Sequence, residues 1–205
     1  MRLSKLMVPL ALLAVSFGTA FAKPVTYVCD PTHTHPSFST DHFGGLSVWR
    51  GIFTKTSCTI VLDRAAQTGT VHVTVDTASD DFGESQLDKD ARGPQLLDVA
   101  KYPTATYVGR LADFKHGAPT RVIGKFTLHG VTRPLTLTIR HFECKEIVFF
   151  HQYRCGADAF AEFNRAKYGI TYGRAIGFQM WVRLHIQVEA VRQGWAARGP
   201  ENLIT

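Results

Sequence analysis

The sequence predicts an all-β fold, a closed antiparallel up-and-down barrel of about eight strands with one or two short helical insertions. Apolar and polar residues alternate along most of the chain, as in strands that have one dry face and one solvated face. Helical periodicity is scarce, so amphipathic helices are not available to cover those dry faces. Short local turns join the strands, and a sheet closed on itself buries the dry faces without long crossings.

The longest alternating stretch is residues 178–190, where seven apolar side chains share one face. Residues 71–75 and 135–139 alternate in the same way. Further strands are predicted over residues 25–29, 35–42, 50–63, 104–112, 119–129 and 155–164. The main helical candidate is residues 84–97, which Gly93-Pro94 divides into two short pieces. Residues 165–174 are predicted to form a loop with one helical turn.

The N-terminus has the features of a secretory signal peptide. A short basic head is followed by an uncharged apolar segment from residue 6 to residue 22, which ends in Ala20-Phe21-Ala22. Cleavage before Lys23 is therefore predicted, with export to the periplasm. An uncleaved anchor is the alternative, and the shortness of the segment argues against it. The barrel domain is predicted over residues 23–192, and residues 193–205 are predicted to be a disordered tail.

The net charge of the chain does not identify a specific partner. The formal net charge of +6 falls to +4 when the signal peptide, which carries Arg2 and Lys5 and no acid, is removed. The basic residues are scattered, so a nucleic-acid partner is not expected. A mildly basic surface favours transient contact with acidic headgroups of a membrane. The oligomeric state stays open, a homodimer included.

Four cysteines remain after cleavage, an even number in an oxidising compartment. Three pairings are open, and Cys29–Cys58 with Cys144–Cys155 is favoured because each bridge then closes a local hairpin or loop. Zinc binding is the alternative. The spacings contain no C-x-x-C, so a metal site is not predicted.

Several ordered stretches together resemble one known family. They are Tyr27-Val28-Cys29-Asp30-Pro31, Gly51-Ile52-Phe53, Tyr102-Pro103-Thr104, Gly124-Lys125-Phe126-Thr127-Leu128-His129-Gly130-Val131-Thr132-Arg133-Pro134, Cys155-Gly156-Ala157-Asp158-Ala159 and Asn164-Arg165-Ala166-Lys167-Tyr168-Gly169-Ile170. In order and spacing they resemble the YceI-like family of periplasmic, lipocalin-like barrels that bind polyisoprenoid lipids. The resemblance extends over about residues 27–191.

The resemblance implies a periplasmic binding or carrier protein for a long-chain isoprenoid lipid of polyprenyl or quinone type. The lipid would lie in the apolar interior, and a separate cofactor is not expected. The residues predicted to contact it are Phe38, His42, Trp49, Phe53, Arg92, Tyr102, Tyr107, Phe126, Phe160, Phe163, Arg165 and Phe178. For the aromatic residues, together with Phe43 and Phe82, ordinary core packing is the alternative.

Arg92 and Arg165 are the candidates for a polar headgroup, because arginine pairs well with phosphate. A structural salt bridge is the equal alternative for each. The chain departs from the family at both places. Asp90-Ala91-Arg92 lacks the histidine of the family's helical motif, and Lys167 replaces an acidic residue in the later loop.

Two other functions stay open, namely an enzyme that acts on the bound lipid through His42 or Tyr102, and a filled-core interaction or stress-protection module. The sequence contains no G-x-S-x-G, H-E-x-x-H or glycine-rich phosphate loop, so catalysis is not predicted. His33, His35 and His42 are interpreted as structural side chains that bond backbone groups at the barrel end. Asp80-Asp81 is interpreted as a solvated turn.

Overall fold

The computed structural model describes residues 23–195. The predicted signal peptide, residues 1–22, and residues 196–205 of the predicted tail lie outside this range. The strands are β1 (Val25–Cys29), β2 (Pro36–His42), β3 (Ser47–Phe53), β4 (Thr56–Asp63), β5 (Thr68–Asp76), β6 (Asp80–Asp81), β7 (Thr104–Ala112), β8 (Arg121–Leu128), β9 (Val131–Ile147), β10 (Gln152–Asn164) and β11 (Trp181–Arg192). The α-helix within this range is α1 (Ser85–Arg92), which lies between β6 and β7.

The sheet closes on itself. Every pairing is antiparallel, and β1 pairs with both β4 and β11. β2 pairs with β3 and with the N-terminal half of β11, residues 182–186, and β6 pairs with β3. Consequently β1 with β2, β3 with β4, and β5 with β6 act as three long interrupted strands. Counted this way the ring has eight strands in chain order, and the predicted closed up-and-down barrel is confirmed.

The alternation of the sequence corresponds to the inner and outer faces. In β11, Val182 and Ala190 are buried, whereas Arg183 and His185 are exposed on the opposite face. The buried residues form two groups. One contains Tyr27, Cys29, Cys58, Leu62, Val71, Tyr107, Leu111, Val122, Leu137, Cys155, Ala159 and Ala190, and the other contains Val75, Ala105, Leu128, Tyr168 and Ile170.

Both predicted disulfides are confirmed. Cys29–Cys58 joins β1 to β4, and Cys144–Cys155 joins a directly opposed pair of residues on β9 and β10. Each sulfur pair therefore links neighbouring strands of the barrel wall. All four cysteines of the chain are accounted for by these two bridges.

Several boundaries differ from the sequence prediction. The predicted strand 50–63 is two strands, separated at Thr54 and Lys55, and β9 is much longer than residues 135–139. The last strand begins at Trp181, so Phe178 lies in a loop and not on the strand face. The helix ends at Arg92, at the predicted break before Gly93-Pro94, because proline lacks a backbone donor. The second predicted helical piece is wrong, because residues 94–97 form turns. Within residues 23–195, no helix is long and apolar enough to cross a membrane.

Candidate functional site

The two ends of the barrel have different linings. One end, called the packed end here, contains the first buried group, both disulfides and the hairpin tip between β9 and β10. The other end, called the aromatic end, is formed by the β2–β3 turn, α1 and the loop between β10 and β11. The predicted aromatic ligand contacts concentrate at this second end.

A row of aromatic rings follows β2 and β3 into the barrel from the aromatic end. His42 meets Trp49 edge-on at 5.1 Å between ring centroids, and Trp49 lies 6.5 Å from Phe82. Phe82 meets Phe38 edge-on at 5.2 Å, and Phe38 lies 5.2 Å from Phe53. These spacings are those of favourable aromatic contacts. The row is therefore a continuous apolar surface from the rim to the interior.

A glycine on β3 makes room for this row. A Cβ atom at Gly51 would lie 2.8 Å from the Phe38 ring, which is closer than real Cβ contacts. Gly51 is therefore required by the close approach of Phe38. A surface cleft of about 580 Å³ lies on the outer side of the wall at this point, because its lining includes the outward residues Ser37, Arg50, Ile52 and His185 together with parts of Phe38 and Phe82.

A second aromatic group faces the row across the barrel. Phe126, Phe163 and Tyr168 form a triangle with centroid distances of 5.2 to 5.6 Å. Phe53, the innermost ring of the row, packs against the same buried group as these three residues. The two sets of rings therefore line opposite walls of one apolar interior.

The middle layer of the barrel is not closely packed. The side chains that point inward here are apolar, yet they are only partly buried. They are Phe38, Phe53, Val73, Phe126, Leu135, Ile139, Ala161, Phe163, Leu184 and Ile186. An inward side chain that retains accessible surface borders unfilled space, because closely packed interiors leave few gaps larger than a water molecule.

Tyr107 belongs to the packed end and is not part of the accessible layer. Its hydroxyl lies 3.0 Å from the carbonyl oxygens of both Val122 and Leu135. Burial raises the pKa of Tyr107 to about 12. A Cβ atom at Gly124 would lie 2.6 Å from the Tyr107 hydroxyl, so this glycine lets the ring lie flat against the wall. Tyr107 thus is a buried ring that lies opposite Val73 and Phe126 of the accessible layer in the strand register.

Arg92 is held in a structural ion pair. Its Nε donates to Asp80 Oδ1 at 2.6 Å, and its Nη2 donates to the Asp80 carbonyl oxygen. Asp80 has no exposed surface, and burial raises the pKa of its carboxyl although Arg92 opposes this. The interpretation of Asp80-Asp81 as a solvated turn was wrong for Asp80. The helix that carries Arg92 packs over β6 and removes Asp80 from water.

Arg165 is likewise committed to the protein. It is 7% exposed, and its two terminal nitrogens donate to the carbonyl oxygens of Ile170 and Tyr172. Burial lowers the pKa of its guanidinium, and the nearby charge of Asp41 opposes the shift. Arg165 therefore shapes the loop between β10 and β11 from inside. Both arginines therefore make the intramolecular contacts expected of a structural role, which was the alternative to headgroup binding.

Other predicted contacts are distributed unevenly. Phe178 lies in the loop between β10 and β11, residues 165–180, which is called the rim loop. The rings of Phe178 and His42 are 5.8 Å apart, and those of Tyr102 and His129 are 4.3 Å apart, measured between centroids. The prediction that Phe160 contacts the ligand was wrong, because this residue lies on the outer face of β10. There it packs against His185, and Arg140 lies over its ring. Phe160 therefore does not line the interior.

The histidines do not form a common site. His33 Nδ1 lies 3.0 Å from Asp30 Oδ2, and His42 Nδ1 lies 3.4 Å from Ser47 Oγ. Their partners are side chains, not the backbone groups that the sequence interpretation expected. Within residues 23–195, no cluster of three or more His, Cys, Asp or Glu side chains has a geometry that suits a metal ion.

The sequence prediction omitted three residues of the site. Phe82 and Tyr168 complete the two aromatic groups, and Asp41 organises the rim. Phe82 appeared only in the wider aromatic set, and Tyr168 only as part of a motif. Nothing in the local sequence indicates that Asp41 is buried, because its partners come from the β2–β3 turn and from a loop 138 residues away.

An eight-stranded antiparallel barrel with an aromatic, partly accessible interior defines a class of small-ligand-binding barrels. The chain matches the YceI-like domain over residues 27–190 and belongs to that family. Protein YceI of Salmonella arizonae is 30% identical over 185 residues, which cover 90% of this chain and 95% of that protein.

Solved structures share the fold. Burkholderia cenocepacia BcnA superposes with a TM-score of 0.62 at 20% identity, over 78% of this chain and 98% of that one. A polyisoprenoid-binding domain from Saccharophagus degradans, implicated in plant cell wall breakdown, gives 0.56 at 15% identity, over 80% and 97%. At these identities the similarity establishes the fold alone.

Proposed function

We propose that this protein is a periplasmic, non-catalytic carrier that holds the tail of a long-chain isoprenoid lipid, of polyprenyl or quinone type, inside the barrel. The observation that carries the proposal is the accessible apolar middle layer. Ten inward apolar side chains from seven strands retain accessible surface there, next to the buried ring of Tyr107. The polyisoprenoid-binding domain that shares the fold supports the choice of ligand class.

The driving force is removal of the tail from water. Apolar burial stabilises by roughly 25 cal/mol per Å², or about 0.8 kcal/mol per CH₂ group. A branched isoprenoid chain also fits an interior of phenylalanine, leucine, isoleucine and valine, because dispersion contacts require only shape and apolar character. Affinity is therefore expected to rise with tail length until the interior is full.

The headgroup is expected to matter less than the tail. The guanidinium groups of Arg92 and Arg165 already donate to Asp80 and to backbone carbonyl oxygens. A headgroup would have to compete with these intramolecular partners. Titrations with short-tailed and long-tailed lipids, each with a quinone or a pyrophosphate head, separate the two contributions. Equal affinity for short and long tails would contradict the proposal.

Export to the periplasm is supported by two features. The first 22 residues have the composition of a signal peptide, and both disulfides suit an oxidising compartment. Mass spectrometry of the protein purified after export gives its N-terminal residue, which is expected to be Lys23.

A substitution that fills the interior provides the decisive test. Ala161 points into the accessible layer of β10, and Asp158 is exposed on the outer face of the same strand. We expect Ala161→Phe to abolish binding of a long-tailed polyprenol, because the new ring occupies the tail's volume. Asp158→Phe is the matched control and should bind like the wild type.

The readouts are fluorescence titration and mass spectrometry of an organic extract of the purified protein. A stoichiometric isoprenoid in the wild-type extract, lost in Ala161→Phe and kept in Asp158→Phe, is the expected result. A folded Ala161→Phe protein with unchanged affinity would show that the lipid does not enter the barrel.

A further inference from the structure

The rim of the aromatic end carries an exposed apolar surface that the proposed carrier function does not explain. Leu46 in the β2–β3 turn is 79% exposed, and Ile176 in the loop between β10 and β11 is 70% exposed. Phe43 and Tyr172, on the same two segments, are also more than one-third exposed. Large apolar side chains that protrude together in this way indicate an interaction surface.

The two segments form one unit. Oδ2 of the buried Asp41 accepts hydrogen bonds from the backbone N–H groups of Gly44 and Gln179, at 3.0 and 2.9 Å. The ring of Phe43 lies 5.2 Å from that of Phe178. The β2–β3 turn and the rim loop are therefore fastened side by side, and their apolar residues protrude from one end of the barrel.

The same segments are basic. The turn, residues 43–46, and the loop, residues 165–180, contain Arg165, Lys167 and Arg174 and no Asp or Glu. Arg165 is buried, which leaves Lys167 and Arg174 exposed. Apart from the buried Asp41 and from Glu162, which pairs with Arg183, the acidic residues at this end belong to the α1 sector, which includes Glu84, Asp88 and Asp90. The exposed apolar side chains thus lie on the basic side of the rim.

We propose that the docking rim, defined by Phe43, Leu46, Tyr172, Arg174 and Ile176, binds the surface of an anionic phospholipid bilayer. The apolar side chains enter the headgroup region, and the cations pair with lipid phosphates. The rim is continuous with the aromatic row through His42, whose ring makes edge-to-face contacts with both Phe43 and Phe178. A tail that leaves the bilayer there meets an apolar path inward. This role in lipid transfer rests on the proposed carrier function.

The opposite end provides a control surface. Val148, Phe149 and Phe150 at the β9–β10 hairpin tip are also exposed, with Phe149 at 85%. The segment before this tip contains Glu143, Lys145 and Glu146, so it lacks the excess of cations that the docking rim has. If exposed apolar area alone determined membrane binding, the hairpin tip would bind at least as well as the docking rim.

The test is co-sedimentation of the purified exported protein with vesicles. Phosphatidylglycerol mixed with phosphatidylethanolamine is compared with pure phosphatidylcholine. We expect binding to the anionic vesicles, and at least a ten-fold loss of it in the triple variant Phe43→Ser, Leu46→Ser, Ile176→Ser. The matched triple variant Val148→Ser, Phe149→Ser, Phe150→Ser should bind like the wild type.

Charge is tested separately. Arg174→Glu should weaken binding to anionic vesicles by about five-fold or more, since each cation near a charged membrane contributes about that factor. Lys145→Glu, at the packed end, is the control and should have little effect. Added salt should weaken wild-type binding, because exposed charges are screened.

The outcomes separate docking from lipid binding. Loss of vesicle binding only in the hairpin-tip variant, or equal binding to neutral and anionic vesicles, would overturn the proposal. The proposal would also be overturned if the wild-type protein is a dimer that binds no vesicles and the rim variant is a monomer. The rim would then be an interface between two copies of the chain. Polyprenol titration without vesicles tests the carrier function alone, so a protein that fails only that titration leaves membrane docking intact.

Discussion

The packed end and the aromatic end of this barrel are stabilised by different interactions. At the packed end, apolar side chains fill the interior, and two disulfides join neighbouring strands. At the aromatic end, most inward rings are partly accessible and pack against the smaller buried group that contains Tyr168, and buried polar side chains hold the surrounding loops. Asp80 binds Arg92, and Asp41 and Arg165 bind backbone groups of the rim.

The comparison shows how one small barrel can combine a stable core with an accessible interior. Close packing cannot stabilise a region that must leave room for a ligand, because each void forfeits dispersion contacts. Polar clamps around the rim position the loops without filling the space between them. Under the proposed carrier function, stability and ligand binding are assigned to different parts of the same sheet.

The largest expected effect comes from removing the same side chain at two levels of the barrel. Leu62 is 2% exposed in the packed end, whereas Leu184 is a partly buried member of the accessible layer. Leu62→Ala should reduce the free energy of unfolding by about 3–4 kcal/mol, because it leaves a cavity. Leu184→Ala should cost only about 1 kcal/mol. Urea unfolding measures both, and equal losses would abolish the distinction between the two ends.

The next effect tests the polar clamp over β6. Arg92→Ala leaves the fully buried Asp80 without its partner, which should cost about 3 kcal/mol at neutral pH. The folded-state pKa of Asp80 then lies further above its unfolded value. The penalty is therefore present above the folded pKa and disappears as pH falls below the unfolded pKa.

The control for this clamp is the double variant Asp80→Asn, Arg92→Ala, which should recover part of the lost stability at pH 7. Thermal unfolding from pH 4 to pH 8 provides the measurement. A pH-independent loss in Arg92→Ala, with no recovery in the double variant, would mean that Arg92 acts only through packing of its alkyl chain.

The smallest effect concerns the junction between the two ends, where the chain passes from β1 to β2. Hydrogen bonds from Thr32, the largest cause, and from His33 and Arg154 hold the pKa of Asp30 well below its usual range, although burial opposes them. The stability that Asp30 contributes is present above its unfolded pKa of about 4 and is lost as pH falls below that value.

Asp30→Asn should therefore be less stable than the wild type by about 1–2 kcal/mol at pH 7, and the difference should shrink toward pH 2. Asp113→Asn is the control, because the Asp113–Arg121 pair is half-exposed and should contribute little. If both variants have the same acid profile, the junction is not a distinct electrostatic site.

Regular repetition made much of the fold predictable. Alternation in β5, β9 and β11 identified the inner face, and local turns indicated neighbour pairing, so the closed barrel and both disulfides followed. The same periodicity also indicates that Phe160 is on the outer face, which the prediction of a ligand contact did not take into account. Phe160 shares its face of β10 with Asp158 and Glu162, while Ala159 and Ala161 share the inner face.

The sequence by itself determined the strands, their inner faces and the apolar character of the interior, because these depend on a period of two along a local segment. Only the tertiary structure decided the state of individual polar side chains and the degree of packing. Asp80 is buried because α1 folds over β6, and Asp41 is buried because two distant segments meet on it. Whether a layer of the barrel is filled depends on the combined volume of side chains from eight strands, and no local sequence pattern gives that volume.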